Sequence, residues 1–593
     1  MRAVLIAVLF FLLCAVPSRG QRGDWYNDEG GFTFEGAGTR LDPYRVSSVT
    51  ALSYLAEQVN MWPGKSFQGE YFVLTEDLDL GRHFWIPIGS EAHQPFRGVF
   101  NGNGKVIHNL YIGSTEVDNV YAAAGLFGYL GNGARIENLT IDGGVIVGGG
   151  REAVSRTGCL AAYLLCSVSG GRDSIVVRNC HIQCMTVLGA DTEVSHTGGL
   201  IGEAYAFSEG EGEALVLIDY CSSSSVVSAP ASAFPYTGGI VGKGRGHGYC
   251  DGAGRASGVF VIRSCLNSGG IRGGDAAGKE AVSSTGGILG FGYASGDGYG
   301  QGGGTGAFVI EYCLNSGAVT GGDAVGHQAF SYTGGLLGYG DGSGYGDRPG
   351  GFVTASGYGA GTFLVQYSAN RGAVGGGDAP GESAATSTGG IAGFASGSAT
   401  GYGGGGGAGR GLFRMRSCYS YASIASRSGF LGGLAGSLAT VGNGENHTVS
   451  ALISDCYAAG AINRGDTVFP DVTGGIAGRM QKSKEAVRPP QVVHCLAALS
   501  FLNGNGNHTF RIAGLIQGVR PPFSGMMGRN YAGVREGQWT QAKTVKNGRE
   551  WDGSVFSLPV SEWNVKGKVW HPVSGGALPR LANLLWQEDV PLP

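Results

Sequence analysis

Charged residues are scarce in this sequence. They make up 15% of the 593 residues, against about a quarter in an average soluble protein. The formal net charge is −4, and no run of basic residues interrupts the chain. Because nucleic-acid binding depends on clustered lysine and arginine, these features exclude DNA and RNA as expected partners.

Long hydrophobic runs are also missing, except at the beginning of the chain. The first residues, MRAVLIAVLFFLLCAVPSRGQ, combine basic Arg2, an apolar segment from Ala3 to Val16, and the small residues Ser18 and Gly20. This order is typical of a secretory signal peptide, and the apolar segment is short for a bilayer span. We therefore expect a signal peptide at 1–20, a secreted or cell-surface location and no membrane insertion.

The motifs of common catalytic and metal sites are absent as well. The sequence has no nucleophile elbow, no H-E-x-x-H, no P-loop, and no C-x-x-C or histidine pair at ligand spacing. Gly298, Gly300 and Gly303 match G-x-G-x-x-G, but no strand-to-helix pattern surrounds them. We expect no catalytic residue, no metal and no cofactor.

Glycine, by contrast, is abundant. There are 114 glycines, about 19% of the chain, where about 7% is usual. They follow no G-X-Y period, which excludes collagen. The chain is 42% hydrophobic and contains 25 Tyr and 26 Phe, which argues against disorder throughout. We expect a tightly packed chain whose backbone segments lie close together.

The glycines belong to an internal repeat, the phrase T-G-G-[IL]-x-G. Copies begin at Thr197, Thr237, Thr285, Thr333, Thr388 and Thr473. Between them lies a second phrase, a hydrophobic residue, two further residues and then Cys, ending at Cys180, Cys221, Cys265, Cys313, Cys418, Cys456 and Cys495. Leu139 and Ser368 replace the cysteine in two further copies, and another hydrophobic residue follows six residues later, such as Val145, Val227 or Phe501.

These phrases predict short strands, because they are β-branched and bounded by glycine. A unit of 40 to 48 residues buries its apolar side chains only against its neighbours, as solenoid units do. We therefore predict an all-β fold, a parallel β-helix in which each repeat contributes two coils and equivalent positions lie about 10 Å apart. The hydrophobic residue after the two glycines is expected to point into the core and to stack on its counterparts.

Read in order, these phrases resemble the GLUG-motif repeats of bacterial secreted and surface proteins. The resemblance rests on "GGLLG", "GGIAG" and "AGLFG", on the lead-in "GTRLDPYRVSSVTALSYLAEQVN" and on the terminal "WNVKGKVWHPVSGGALPRL". It covers roughly Gly38 to Leu581. It implies a right-handed parallel β-helix with an adhesin-like role at the cell surface, and it does not imply a catalytic centre.

The two ends of such a solenoid must be covered, because unpaired strand edges invite aggregation. A helix from about Val49 to Asn60, capped by Ser47 or Ser48, is expected to close the N-terminal end with Leu52, Leu55, Ala56 and Val59. Trp563, Trp570 and Leu578 to Leu581 are candidates for the other end. The expected divisions are 21–113 for the N-terminal cap and first coils, 114–520 for the repeats, and 521–593 for the C-terminal coils and cap.

The repeated cysteines are expected to be buried fillers rather than disulfide partners. At about 10 Å they would be beyond disulfide reach. Cys159, Cys166, Cys184 and Cys250 fall outside the repeated positions, and a bridge among them, or to a repeated cysteine, stays open.

Three glycine-rich insertions separate the two phrases in the middle repeats. They are expected to emerge along one side of the solenoid, where repeat insertions often form the binding face. Tyr, Gly and Ser together make an adaptable contact surface. The predicted contact residues are Tyr293, Tyr299, Tyr339, Tyr345, Tyr358 and Tyr402; solvated loops without a ligand are the alternative.

A recurring G-G-D-A element contains Asp275, Asp323 and Asp378, with a related "GAD" at Asp191. Stacked aspartates suit Ca²⁺, but the calcium-binding nonapeptide and the EF-hand loop are absent. We favour a turn in which each carboxylate stabilises its own backbone.

The sequence as a whole predicts a monomeric, secreted or surface-displayed binding protein rather than an enzyme. It would contact a host or matrix surface protein or glycan through many weak contacts along a rigid rod. The alternative is a polysaccharide lyase or glycoside hydrolase on the same scaffold, which would need two carboxylates at catalytic separation in a cleft.

Overall fold

A computed structural model describes residues 32–537, except for 82, 115–120, 151, 348–356, 403–407, 465–471, 504–508, 511, 520–525 and 529, and short strands after 549. The expected signal peptide and Trp563 lie outside the described residues, and so do the side chains of Trp570 and of Leu578 to Leu581. The predicted division into domains therefore stays a prediction.

The fold is a parallel β-helix solenoid. The helix Val49–Asn60 begins after Ser48, whose hydroxyl accepts a hydrogen bond from the Ala51 amide at 3.1 Å. The predicted face of Leu52, Leu55, Ala56 and Val59 is buried. The first strands are Tyr44–Val46, Tyr71–Leu74, Leu78–Asp79, Val99–Asn101 and Val106–Ile112.

Each later repeat winds through four kinds of segment. The first kind, here called the threonine strands, forms a separate ten-stranded sheet: Ala123–Ala124, Val154–Gly158, Val194–Gly198, Phe234–Gly238, Val282–Gly286, Phe330–Gly334, Ala385–Gly389, Phe430–Gly432, Val472–Gly474 and Thr509–Phe510. After the two glycines the chain turns into a rising strand: Phe127–Leu130, Val241–Asp251, Leu289–Tyr299, Leu337–Asp347, Ala392–Gly401, Ala435–Gly444, Ala477–Lys482 and Ala513–Gln517.

A returning strand brings the chain back to the solenoid: Arg135–Val147, Gly254–Arg263, Gly302–Glu311, Tyr358–Gln366, Ala408–Arg416, His447–Ser454, Gln491–Val493 and Met527–Gly528. In two repeats the rising and returning segments form one assigned strand, Ala161–Leu188 and Ile201–Asp219.

Short strands then lead to the next repeat: Ser222–Ser223, Val226–Ser228, Leu266–Asn267, Ile271–Arg272, Leu314–Asn315, Val319–Thr320, Ala369–Asn370, Val374–Gly375, Tyr419–Ser426, Tyr457–Arg464, Leu496–Asn503, Tyr531–Gly537 and Arg549–Glu550. Near the C-terminus, Trp570–His571 pairs antiparallel with Arg580–Leu581, and Ala577–Leu578 with Val590–Pro591.

Each repeat is one coil, so the expectation of two coils was wrong. Thr237 pairs directly with Thr197 on one side and with Thr285 on the other. Equivalent residues therefore lie on hydrogen-bonded neighbouring strands, about 4.8 Å apart rather than 10 Å. The residues that seemed to make a second coil instead form the long rising and returning strands.

The predicted interior columns are present. The hydrophobic residue after the glycines is fully buried in each copy: Leu200, Ile240, Ile288, Leu336, Ile391, Leu434, Ile476 and Ile512. A second predicted column consists of the hydrophobic residues six positions after the cysteines. Two of its predicted members were off by one residue, since Ile146 rather than Val145 is buried and Leu502 rather than Phe501 pairs with Ile462.

The corner before each repeated cysteine, or before the residue that takes its place, has a left-handed backbone. The residue there has φ between 52° and 60° in ten copies: Asn109, Asn138, Asn179, Tyr220, Ser264, Tyr312, Tyr367, Ser417, Asp455 and His494. Asparagine tolerates this conformation best among non-glycine residues, and it occupies the first three corners. That was the available sequence signal for the corner, and the sequence analysis did not use it.

The repeated cysteines are buried and free. The Sγ of Cys265 donates to the Arg263 carbonyl at 3.2 Å, and Ser368, which replaces a cysteine, donates to the Gln366 carbonyl at 2.8 Å. The filler interpretation is confirmed, but its distance argument was wrong, because these residues lie on adjacent coils. Cys159, Cys166, Cys184 and Cys250 are also free.

We expect a thiol-labelling reagent to modify one described cysteine in the native protein. Cys184 is exposed, whereas the other ten described cysteines are buried. Burial raises the pKa of the Cys159 and Cys166 thiols to about 12, which keeps them protonated and unreactive. Mass spectrometry after labelling with and without denaturant measures the modification of each cysteine. Rapid modification of Cys265 in the native protein would contradict its burial in the cysteine column.

A second buried column consists of asparagines that sequence analysis missed. The Asn267 side-chain nitrogen donates to Asn315 Oδ1 at 2.8 Å, and that of Asn315 donates to Asn370 Oδ1 at 2.8 Å. All three residues are fully buried. The repeated L-N-S-G at 266–269 and 314–317 was the available signal.

The G-G-D-A aspartates also form a column. Asp275 Oδ1 accepts the backbone amide of Asp323 at 2.8 Å, and Asp323 Oδ1 accepts that of Asp378 at 2.7 Å. The carboxylates of Asp275 and Asp323 therefore bind the next coil, which corrects the expected hydrogen-bonding partner of these two residues. In the part of the chain that the structure describes, no group of three acidic, histidine or cysteine side chains is placed to hold a metal ion.

Candidate functional site

The glycine-rich insertions form two packed sheets, here called the glycine arm. The arm consists of the four rising strands within 241–401 and the four returning strands within 254–416. The alternative of solvated loops does not hold for the described part of these insertions, because they continue the ladders of the solenoid.

Glycine at alternate positions lets the two sheets of the arm touch. A Cβ atom on Gly296 would lie 2.2 Å from the Ala360 carbonyl oxygen and 2.4 Å from that of Gly304. Nearer the solenoid, Phe308 and Phe363 fill the space opposite Gly244 and Gly292. Two sheets with ordinary side chains stand about 10 Å apart, so the arm is much thinner.

Because glycines line the inside, the intervening side chains of the rising strands point outward. Four tyrosines on this outer face form what we call the tyrosine ladder. Ring centres are 5.5 Å apart for Tyr249 and Tyr299, 5.2 Å for Tyr299 and Tyr345, and 6.1 Å for Tyr345 and Tyr402. Three members were predicted contact residues; Tyr249 was missed because its segment, in which glycine also alternates, was not counted among the insertions.

The other three predicted tyrosines lie elsewhere. Tyr339 stacks between Phe291 and Phe394, with ring centres 4.6 and 5.1 Å away, in an aromatic column facing the threonine strands. Tyr293 lies against the Arg245 guanidinium. Tyr358 begins a returning strand, so it lies on the opposite face of the arm, where 40% of it is exposed.

Beside the ladder, a hydrogen-bonded chain joins Tyr205, His247 and Asp297. The Tyr205 hydroxyl lies 2.8 Å from His247 Nδ1, and His247 Nε2 lies 2.8 Å from Asp297 Oδ2. Ser295 also donates to Asp297 at 3.0 Å. Burial raises the pKa of Tyr205 to about 12, so its phenol stays protonated and is not an activated nucleophile.

A buried charged cluster closes one end of the aromatic column. Glu203 accepts from His196 at 3.1 Å and from Lys243 at 3.2 Å, and it also pairs with Arg156. Burial alone would raise the pKa of Glu203, but the three neighbours hold it well below its usual range. The pKa of His196 is lowered by burial, which keeps that ring neutral. The Glu203 carboxylate is therefore paired within the cluster.

A surface cavity of about 570 Å³ lies at the N-terminal coils. Its lining includes Arg40, Arg135, Asn101 and Glu137, and Arg135 lies 3.6 Å from Glu137. With one carboxylate, this cavity does not supply the pair that glycoside hydrolysis uses.

Comparisons with known proteins match only parts of this chain. No family model matches it, so the GLUG likeness stays a resemblance. A segment of 158 residues, 26% of the chain, is 30% identical to a provisionally named Gly-rich membrane protein of Evansella cellulosilytica. A segment of 124 residues, 20% of the chain, is 29% identical to halomucin of Haloquadratum walsbyi. The chain spans 16% and 1% of these relatives.

Among solved structures, a provisionally named immunoglobulin A1 protease from Bacteroides ovatus aligns over 69% of this chain and 86% of its own. The TM-score is 0.34 and the identity 16%. Within the described residues, no helix has the length and apolarity needed to cross a membrane. This protein is thus a β-solenoid with local similarity to a protein named for its glycine content.

Proposed function

We propose that this protein is a secreted or cell-surface solenoid with an adhesin-like binding role, and that the tyrosine ladder is its contact surface. The observation that carries the proposal is the ladder itself, four tyrosines from successive coils whose ring centres lie 5.2 to 6.1 Å apart on the outer face of the arm. The partner is a surface protein or glycan of a host or matrix.

The arrangement suits multivalent binding. Tyrosine offers a large, rigid, amphipathic contact at low entropic cost. Successive coils place these rings at regular intervals on a packed sheet, so the second and later contacts are intramolecular and raise avidity. A polysaccharide lyase or hydrolase remains the alternative activity, and no site described above favours it.

We expect loss of binding when the ladder is removed. After a glycan and matrix-protein array identifies a ligand, each single change Tyr249→Thr, Tyr299→Thr, Tyr345→Thr or Tyr402→Thr should weaken binding about five- to tenfold, roughly 1 kcal/mol. The quadruple variant should lose more than about 100-fold. Threonine keeps strand propensity, so circular dichroism should be unchanged.

Tyr358→Thr is the matched control, because it removes an exposed tyrosine from the opposite face of the same arm. It should bind like the unchanged protein. A quadruple variant with full affinity would disprove the role of the ladder. Release of reducing sugar ends from an array ligand would replace the adhesin proposal with the enzymatic one.

A further inference from the structure

We infer that the surface cavity at the N-terminal coils binds a sugar that carries a carboxylate, as uronic and sialic acids do. The lining of this cavity comes from residues between Arg40 and Ser174, whereas the tyrosine ladder begins at Tyr249. The cavity is therefore a second site that goes beyond the proposed function, and neither site depends on the other.

The floor of the cavity is the outer face of the first coils. Two rows of paired residues form it: Tyr71, Val99 and Arg135 in one row, and Val73, Asn101 and Glu137 in the other. The residues between the two rows are buried in the core: Phe72, Phe100 and Ile136. Because successive side chains of a strand point to opposite faces, the side chains of both rows point outward into the cavity.

The cavity holds a cation that the protein leaves unpaired. Arg40 is exposed and forms no ion pair with a residue that the structure describes, since nearby Asp42 lies 3.8 Å from Arg45 instead. Arg135 supplies a second guanidinium, which lies 3.6 Å from Glu137 and whose side chain is 46% exposed. Two guanidinium groups and one carboxylate give the lining a net positive charge. A guanidinium also matches a carboxylate geometrically, because the two groups form paired hydrogen bonds.

Neutral hydrogen-bonding groups accompany these charges in the lining. The hydroxyls of Tyr71 and Ser174 bond to no other residue in the described part of the chain. Asn101 Oδ1 accepts from the Asn103 amide at 2.9 Å and from Asn138 Nδ2 at 3.1 Å, which leaves the side-chain nitrogen of Asn101 as the group that can donate to a ligand. Several such groups in one cavity suit the hydroxyls of a sugar.

Glu137 favours a sugar acid over a bare anion. Its carboxylate lines the same cavity, so it repels a phosphate or sulfate ion, but it accepts a hydrogen bond from a hydroxyl group. The Tyr71 ring and the side chains of Val73 and Val99 add apolar contacts, which the C–H faces of a pyranose ring can use and an inorganic ion cannot. The volume of about 570 Å³ lies within the range of about 300–1,000 Å³ that is usual for small-molecule sites.

The test is isothermal titration calorimetry of the full chain with glucuronic acid, N-acetylneuraminic acid, glucose and inorganic phosphate. Glucose is the matched control ligand, because it differs from glucuronic acid only at the carbon that carries the carboxylate. We expect the stronger of the two acids to bind about tenfold more tightly than glucose or phosphate. The comparison of the two acids identifies which kind of sugar acid the cavity takes.

Variants at the cavity should weaken binding of that acid. Arg40→Gln removes the unpaired charge and should cost about tenfold in affinity, and Tyr71→Phe removes one hydroxyl and should cost about threefold. Arg272→Gln makes the same change at an exposed arginine outside the cavity and the arm, and it should have no effect. Circular dichroism of each variant confirms that the solenoid is intact.

Four results would overturn the inference: phosphate binding as tightly as the acids, glucose binding as tightly, full affinity of the Arg40→Gln variant, or no binding of either acid. The outcomes also separate the cavity from the ladder. The quadruple tyrosine variant should keep its affinity for the acid, and Arg40→Gln should keep the ligand of the ladder. Loss of the array ligand in Arg40→Gln but not in the quadruple variant would support the cavity and disprove the role of the ladder.

Discussion

Replacing Gly296 with valine is expected to disrupt the packing of the arm. The new Cβ would lie 2.2 Å from the Ala360 carbonyl oxygen and 2.4 Å from the Gly304 carbonyl oxygen. Both obstacles are backbone atoms of the returning sheet, so no side chain can rotate away. Overpacking a core costs about 1–3 kcal/mol when side chains absorb it, and a clash with backbone on both coils should exceed that range.

Thermal unfolding followed by circular dichroism, together with limited proteolysis, measures the effect. We expect a lower melting temperature and new cleavage within the arm. Gly270→Val is the matched control, since a Cβ there meets no atom within 4 Å, and it should change stability by less than about 0.5 kcal/mol. If Gly296→Val melts and resists protease like the unchanged protein, the two sheets do not touch as described.

Replacing Asp341 with asparagine should stabilise the protein at neutral and alkaline pH. Asp341 is 3% exposed, and burial raises the pKa of its carboxyl to about 6, although hydrogen bonds from Ser396 and Ser398 oppose this. The folded state therefore holds the proton more tightly than the unfolded state. The free energy of unfolding falls as pH rises from about 4 to about 6, by roughly 3 kcal/mol for a difference of about two pKa units.

Asparagine keeps the acceptor oxygen for both serines but carries no charge to bury. The Asp341→Asn protein should therefore melt at a higher temperature than the unchanged protein at pH 8, and the two should converge below about pH 4, where aspartate is protonated in both states. Asp191→Asn makes the same chemical change at an exposed turn and should leave the dependence of the melting temperature on pH unaltered. Equal melting temperatures at pH 8 would show that Asp341 is not buried as a charge.

The columns of the solenoid could be predicted because the same residue pattern recurs in each repeat. Copies of the same phrase must occupy equivalent positions, and alternating apolar residues between glycines are strands. Leu336 and its counterparts are buried for that reason. The helix from Val49 was equally predictable, because Ser48 and the spacing of Leu52, Leu55 and Val59 are local signals.

The number of coils was not predictable in the same way. A repeat of 48 residues accommodates either two compact coils or one coil with a long excursion, and both give the same spacing between phrases. The pairing of Thr237 with Thr197 and Thr285 decides for one coil. Hydrogen bonding between strands that are 40 to 48 residues apart in the chain leaves no trace in local sequence.

The sequence by itself determined which residue types recur at each coil, including the tyrosines, the aspartates and the glycines between them. The tertiary structure decided which of those side chains reach solvent. Where a glycine faces the opposite sheet, the side chains on either side of it point outward, and Tyr299 and Tyr345 therefore lie in the ladder. Tyr339, two positions after Leu337, packs in the aromatic column instead. Tyr358 lies on the opposite face of the arm. Whether a tyrosine is exposed depends on its distance from the solenoid along the strand and on the residues that pack against it there. Those residues come from other repeats, far away in the sequence.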